Sequence, residues 1–182
     1  MKSIYVIRHC EAEGQPPEAA LTEKGFKQAI ELATFFNNVK IERIISSPYK
    51  RAIQTIQPLA KQLNVEIEIN SQLKERVLSA DHLPDWFEKL RTTFEDFDLK
   101  FKGGESSQEA VIRIMEVIEN VFNSDFESTT IVTHGNLMSL LLNNYNQEFG
   151  FDEWSKLSNP DVYLIKLNNN EITLERVWNW RG

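Results

Sequence analysis

Cysteine is almost absent from this chain, which has only Cys10 among its 182 residues. A single cysteine excludes an internal disulfide framework and any cysteine-rich zinc site, and it agrees with a reducing compartment. The first residues lead directly into a strand-like segment without the charged, apolar and small-residue regions of a secretory signal. We therefore expect a cytoplasmic protein.

Long apolar runs, positive charge and metal-binding patterns are also missing. No run approaches the roughly 18 apolar residues of a membrane span, so no membrane partner is expected. The net charge of −7 argues against a nucleic-acid partner, because attraction to phosphate backbones needs a basic face. Nothing shows the close histidine spacing or cysteine pairs of a zinc site, so no metal is predicted. A few inward-pointing arginines could still bind a small anion.

What the sequence does contain is an alternation of strand-like and helix-like segments over a length that fits one domain, residues 1–182. Short β-branched or alternating segments predict strands at 4–7, 43–45, 65–69 and 129–132. Helical periodicity predicts helices at 22–36, 47–63, 111–122 and 137–142. Residues 162–167 and 172–178 predict a C-terminal β-hairpin around an asparagine turn. Such an order is typical of an α/β fold with a mostly parallel central sheet.

Local signals refine two of these helices. Thr22 is a plausible N-cap for the first, and Phe26 and Ile30 fall on its expected apolar stripe. Ser46 or Ser47, followed by Pro48, predicts the start of the second helix. Residues 73–102 show no clear periodicity and predict an irregular or partly helical insertion.

Polar residues follow three of the predicted strands. Arg8 and His9 follow the first strand, Ser46-Ser47 leads to Arg51 after the second, and His134 follows the fourth. Ligands of parallel α/β sheets lie outside the carboxyl ends of the strands, so these side chains would be neighbours if their strands are neighbours.

Two arginines and two histidines suit phosphoryl chemistry. The arginine guanidinium offers a planar fork of donors for phosphate oxygens. A neutral histidine is a competent nucleophile that would divide phosphoryl transfer into two displacements. Such a reaction also needs an acid that protonates the leaving alkoxide and then activates water.

These residues resemble the histidine phosphatase superfamily, which includes the cofactor-dependent phosphoglycerate mutases. The resemblance covers nearly the whole chain and rests on five elements in order: Arg8-His9, Leu21-Thr22-x-x-Gly25, Ser46-Ser47-Pro48 with Arg51-Ala52 and Thr55, Gly104-Glu105-Ser106 with Arg113, and Thr133-His134-Gly135. It implies a three-layer α/β/α sandwich, with a substrate cap inserted at about 73–105. For the phosphatase branch it implies no metal or organic cofactor.

The resemblance also implies roles for individual residues. His9 would accept the phosphoryl group as nucleophile, with His134 as a second catalytic histidine. Glu75, in Leu73-Lys74-Glu75-Arg76, matches the family's proton donor. The residues expected to bind phosphate are Arg8, Arg51, Gln15 and Gly135. The expected activity is hydrolysis of a small phosphorylated metabolite through a phosphohistidine.

Several alternatives stay open at the level of sequence. Cys10 and Ala12 depart from the family's usual nucleophile loop, so a catalytically silent phosphate binder on the same fold is one alternative, and a phosphoglycerate mutase is another. Cys10 itself could be a redox-sensitive thiol with a lowered pKa or a small core residue. The catalytic acid could instead be Asp81, Glu88 or Glu105. His82 is expected at the surface, and the oligomeric state is open.

Overall fold

The architecture was obtained as a computed structural model that describes residues 1–179, so the last residues of the predicted domain, 180–182, lie outside the described residues. In the described part, six strands form one sheet in the order β3-β2-β4-β1-β5-β6. The strands are β1 (Lys2–Arg8), β2 (Arg43–Ser46), β3 (Ile67–Ile69), β4 (Ser128–Thr133), β5 (Asp161–Asn168) and β6 (Glu171–Arg176). The first four are parallel, and β5 and β6 form the antiparallel hairpin. The predicted α/β fold is confirmed.

Six α-helices accompany the sheet in residues 1–179. They are α1 (Glu23–Phe35), α2 (Lys50–Leu63), α3 (Trp86–Glu95), α4 (Ser107–Phe122), α5 (Gly135–Tyr145) and α6 (Phe151–Ser155). One core cluster contains α1 and α2 packed on the sheet, and the other contains α4 and α5. Alternate side chains of β1 divide between the clusters, with Ile4 and Val6 in one and Ile7 in the other. Helices therefore cover both faces of the sheet, as in a three-layer sandwich.

Helix α1 begins as predicted, but two positions of its predicted apolar stripe are exposed. The Thr22 side chain accepts a hydrogen bond from the Gly25 amide. However, Phe26 and Ile30 are 45% and 62% exposed, so their predicted place on the buried stripe is wrong. The buried face instead contains Gln28 and Leu32. Periodicity located the helix, but polar Gln28 in the buried face shifted the apparent stripe.

Other element boundaries also differ from the predictions. Strand β3 begins at Ile67 rather than at residue 65, and the short helix α6 was not predicted. A 3-10 turn at Ser71–Leu73 leads into the predicted insertion, which contains helix α3 within otherwise irregular chain. No helix among residues 1–179 is long and apolar enough to cross a membrane.

Candidate active site

Three polar strand ends meet at one edge of the sheet. Strand β4 lies between β1 and β2, with Arg8 in register with Thr133 and Ser46 in register with Val132. The His9 amide then donates to the Thr133 carbonyl oxygen at 3.1 Å. The strand order therefore brings the residues after each strand together, as the carboxyl-end rule predicts.

The His9 imidazole is held in one orientation by its neighbour. Its Nδ1 lies 2.7 Å from the carbonyl oxygen of Cys10. A carbonyl can only accept, so Nδ1 carries the proton and Nε2 keeps its lone pair. The Arg51 Nε donates to this Nε2 at 3.3 Å. The available nitrogen of His9 therefore points towards a cation.

The environment keeps His9 neutral. Burial lowers the pKa of His9 to about 3, and the positive charges of Arg51 and Arg8 act in the same direction. The side chain is 8% exposed. An unprotonated, oriented imidazole is the form that can act as a nucleophile.

The two arginines approach from different elements. Arg51, on α2, is 1% exposed, donates Nη1 to the Pro16 carbonyl oxygen at 2.9 Å and lies 5.0 Å from the Tyr49 ring. Arg8 donates Nη1 to the Leu157 carbonyl oxygen at 3.0 Å, whereas its buried Nε has no hydrogen-bond partner within residues 1–179. A buried donor without a partner indicates a position where an anion could bind.

The absence of a side chain at Gly135 leaves space for the Arg8 guanidinium. A Cβ at this position would lie 2.9 Å from the Arg8 Nε, so a larger residue would press on the guanidinium. Gly135 is also the first residue of α5, and backbone amides at a helix N-terminus attract anions.

His134 lies beside His9, with 5.1 Å between the ring centroids, and is fully buried. Its Nε2 is 2.8 Å from the Ser47 Oγ, and its Nδ1 has no hydrogen-bond partner in the part of the chain that the structure describes. The Tyr49 amide donates to the same Oγ, and the described chain offers this hydroxyl no other acceptor, so we infer that Ser47 donates to Nε2. The proton of neutral His134 then resides on Nδ1. Burial, together with the positive charge of Arg51, lowers the pKa of His134 well below the ordinary value.

Glu75 joins the site from the segment after β3. Its Oε1 accepts from the amides of Arg76 and Leu137 at 2.8 and 2.9 Å, and its Oε2 accepts from the Asn136 amide at 3.0 Å. The carboxylate is thus anchored on the N-terminus of α5, where negative charge is favoured. Its charge raises the pKa of Arg8 and of Arg51, against the lowering by burial.

The other candidate acids have different partners. Glu105 pairs with Arg113 at 2.8 Å, and Glu88 is an exposed partner of Arg91 at 3.8 Å. Asp81 lines the cleft described next and pairs with Lys102 at 3.6 Å.

A cleft of about 520 Å³ opens beside these residues. It brings Arg8, Glu75 and Gly135 together with Gln15, whereas the buried His9, Arg51 and His134 do not line it. The remaining lining comes from the insertion and from α5 and α6: Arg76, Leu78, Ser79, Asp81, His82, Leu83, Trp86, Leu90, Asn136 and Trp154. His82 is exposed, as expected, and lines this cleft.

Cys10 is a core residue. Its side chain is fully buried and its amide donates to the Thr55 Oγ1 at 2.8 Å. Burial raises the pKa of the Cys10 thiol to about 12, so the hypothesis of a reactive thiol with a lowered pKa is wrong. Its part in the site is the carbonyl oxygen that orients His9.

The loop after His9 is fixed by helix α1. The Glu11 amide donates to the Gln28 Oε1 at 2.9 Å, and the Glu11 carbonyl accepts from the Thr22 amide at 3.1 Å. A Cβ on Gly25 would collide with that carbonyl oxygen. The Leu21-Thr22-x-x-Gly25 motif therefore positions the loop that follows His9.

Sequence reasoning missed two neighbours of the histidines. Ser47 looked like a helix start, but the N-cap of α2 is Tyr49 without a side-chain cap, and the Ser47 hydroxyl contacts His134 instead. The position of Ser47 after a strand could have indicated this. Asn159 donates Nδ2 to the His9 carbonyl oxygen at 2.8 Å from the loop before β5, and no local signal marks it.

Comparisons with known proteins agree with this geometry. The sequence profile of the histidine phosphatase superfamily (branch 1) matches residues 4–180. "Phosphoserine phosphatase 1" of Hydrogenobacter thermophilus is 28% identical over 152 residues, covering 72% of this chain and 70% of the relative. "Probable phosphoglycerate mutase" of Shigella dysenteriae is 27% identical over 173 residues, covering 86% and 79%. The structure of a mycobacterial glucosyl-3-phosphoglycerate phosphatase with inorganic phosphate superposes with a TM-score of 0.78 at 20% identity, covering 99% and 98%.

Proposed function

This chain belongs to the histidine phosphatase superfamily, branch 1, and from that premise we propose that it hydrolyses a small phosphorylated metabolite through a phosphohistidine at His9. Phosphatase names among its relatives and a phosphate-bound structural neighbour support the substrate class. Its one cysteine in 182 residues supports a cytoplasmic setting.

One observation carries the proposal: His9 presents a neutral Nε2 to a group of buried donors. The Cys10 carbonyl oxygen keeps the His9 proton on Nδ1, and the Arg51 Nε lies 3.3 Å from the unprotonated Nε2. Arg8 Nε and His134 Nδ1, both buried, lack partners. Such unpaired donors are costly unless they bind an anion, and phosphoryl oxygens are suitable acceptors.

In the first step, His9 Nε2 attacks phosphorus while the ester P–O bond breaks. Arg8, Arg51 and His134 stabilise the charge on the phosphoryl oxygens. Glu75, which must first take up a proton, gives it to the leaving alkoxide. To receive the phosphoryl group, Arg51 exchanges its contact with Nε2 for contacts with oxygen.

In the second step, water attacks phosphorus and the N–P bond breaks. Glu75, now a carboxylate, takes the proton of that water, and Nε2 regains its lone pair. Inorganic phosphate leaves with the site restored. We propose that the segment at about 73–105 acts as the substrate cap, and that Gln15 contacts the bound ester from the opposite loop, because both line the cleft beside Glu75.

Parallel assays of p-nitrophenyl phosphate and 3-phosphoglycerate test the proposal. We expect wild-type enzyme to release phosphate and His9→Ala to lose at least about 1000-fold in kcat, as removal of a covalent nucleophile does. Efficient interconversion of phosphoglycerates with negligible hydrolysis would favour the mutase suggested by one relative. Equal hydrolysis by wild type and His9→Ala would reject the nucleophile.

A further inference from the structure

We propose that the natural phosphomonoester carries a bulky apolar or aromatic alcohol. This inference rests on the proposed phosphatase function and concerns the same cleft. It follows from the side chains that line the cleft, because they would contact the part of the substrate that leaves as the alcohol.

The outer wall of the cleft is aromatic and aliphatic. Trp86 and Trp154 both line it, together with a set of leucines, Leu78, Leu83 and Leu90. Trp86 is 48% exposed, which is a large exposed area for the biggest apolar side chain. Apolar area of this kind is available to a ligand, and its burial stabilises a complex.

This wall is fixed by ring contacts before any ligand binds. The Phe87 ring lies 5.5 Å from Trp86 and 6.1 Å from Trp154, and it packs edge-on against Phe151 at 5.0 Å. Arg91 stacks on the Phe151 ring, with 4.7 Å between its guanidinium carbon and the ring centroid. A preorganised aromatic surface spares the ligand the cost of ordering it.

The described residues that line the cleft offer little free positive charge to a second anion. Their basic side chains are Arg8, which belongs to the phosphoryl site, Arg76 and His82. Arg76 is 6% exposed and donates Nε to the Glu105 carbonyl at 3.1 Å and Nη1 to the Thr93 hydroxyl at 3.2 Å. Its remaining nitrogen, Nη2, has no hydrogen-bond partner among the described residues.

Negative charge in the same lining opposes a second anion. Asp81 lines the cleft beyond the phosphoryl site and already pairs with Lys102 at 3.6 Å, so a second anion would compete with it for that lysine. A substrate carboxylate would lose its hydration there without gaining an ion pair. Esters such as 3-phosphoglycerate are therefore expected to be poor substrates, whereas an aryl-alkyl phosphate can bury its ring against the tryptophans.

The test compares 2-phenylethyl phosphate with ethyl phosphate and 3-phosphoglycerate on the complete chain. The phenylethyl and ethyl esters have similar leaving alkoxides. A difference between their kcat/KM values therefore reports how well the phenyl ring binds. We expect kcat/KM to favour the phenylethyl ester by roughly 10- to 100-fold, the range for burying one large apolar group. Trp86→Ala should lower the ratio of kcat/KM for the phenylethyl ester to that for the ethyl ester. Trp86→Leu should lower this ratio less. Phe126→Ala is the matched control, because Phe126 is an exposed aromatic that does not line the cleft.

The outcomes separate the two proposals. An unchanged ratio in Trp86→Ala, or equal kcat/KM for the ethyl and phenylethyl esters, overturns the substrate class while phosphatase activity stands. Turnover of 3-phosphoglycerate as fast as that of the phenylethyl ester also overturns it. Hydrolysis of none of the esters, including p-nitrophenyl phosphate, instead rejects the proposed function itself.

Discussion

At the level of single residues, the direction of one hydrogen bond governs the proposed chemistry. The Cys10 carbonyl oxygen accepts a hydrogen bond from His9 Nδ1 at 2.7 Å, and this leaves the lone pair on Nε2. The side chain of residue 10 does not contribute to this contact, because the acceptor is the backbone. The unusual cysteine after the histidine is therefore compatible with an intact nucleophile.

Replacing Glu75 by glutamine tests the proton donor. Glutamine cannot give a proton to the leaving alkoxide, so a poor leaving group should suffer far more than p-nitrophenolate. We expect a loss of about 100- to 10,000-fold in kcat for an alkyl phosphate. The loss for p-nitrophenyl phosphate should be much smaller.

Asp81→Asn is the matched control for this prediction, because Asp81 is the other carboxylate in the cleft lining. If Glu75→Gln slows both esters equally, and Asp81→Asn slows the alkyl ester far more than p-nitrophenyl phosphate, the acid is Asp81.

Ser47 is predicted to be a positioning residue for His134. Ser47→Ala removes the hydroxyl that contacts Nε2 at 2.8 Å and leaves the buried imidazole without that partner. We expect kcat to fall about 3- to 10-fold, the equivalent of one hydrogen bond. Nitrogen NMR of labelled histidine should show the Nδ1-protonated form of His134 in the wild type and a loss of that preference in the variant.

Ser46→Ala supplies the comparison, since Ser46 is equally buried but donates to the Ser47 carbonyl and does not contact the imidazole. An unaltered nitrogen spectrum in Ser47→Ala would contradict the positioning role.

At the level of elements, the shape of the cleft depends on two segments that pair along their backbones. The Ala80 amide donates to the Lys102 carbonyl at 2.9 Å, and the Glu105 amide donates to the Val77 carbonyl at 2.8 Å. Gly104 lies between them, and a Cβ there would collide with the Leu78 carbonyl oxygen. The backbone of one segment thus occupies the space of a missing side chain in the other.

Gly104→Ala should therefore displace the segment that carries Leu78. We expect the preference for the phenylethyl over the ethyl ester to fall, and the midpoint of urea unfolding to drop. Gly14→Ala is the control, because its added Cβ would meet only the Pro16 side chain, at 3.5 Å. An unchanged ester preference in Gly104→Ala would show that this close packing does not shape the cleft.

The elements also show which parts of the molecule a sequence can predict. The order of strands and helices, the cap at Thr22 and the hairpin turn through Asn169 and Asn170, both with positive φ, follow from local signals. The strand ends of β1, β2 and β4 could be grouped because parallel sheets place them at one edge.

Other features depend on contacts that local patterns do not encode. The exposed faces of Phe26 and Ile30 are set by how α1 packs on its neighbours. The irregular stretch before α3 has no hydrophobic periodicity from which its structure could be predicted. Its conformation is fixed by backbone hydrogen bonds to residues far along the chain. Asn159 reaches His9 across 150 positions of sequence.

At the level of the whole molecule, burying neutral histidines makes stability depend on pH. The unfolded chain protonates histidine below about pH 6.5, whereas folded His9, with its pKa of about 3, stays neutral. The unfolded state then binds more protons, so stability is lost as pH falls below about 6.5. His134, whose pKa is also lowered, acts in the same direction.

Urea unfolding between about pH 5 and pH 7 measures this dependence. Each buried histidine should remove up to about 1.4 kcal/mol of unfolding free energy per pH unit in the lower part of this range. His9→Asn should reduce the slope. A stability that stays constant or rises as pH falls would contradict the neutral, buried state of these histidines.

The most direct test of the central claim is the location of the phosphoryl group during turnover. Wild-type enzyme is denatured rapidly under alkaline conditions while it hydrolyses p-nitrophenyl phosphate, and its peptides are analysed by mass spectrometry. We predict a phosphoryl group on His9, absent from His9→Ala. Turnover with no phosphoryl group on His9, or with the group on another residue, would contradict the account.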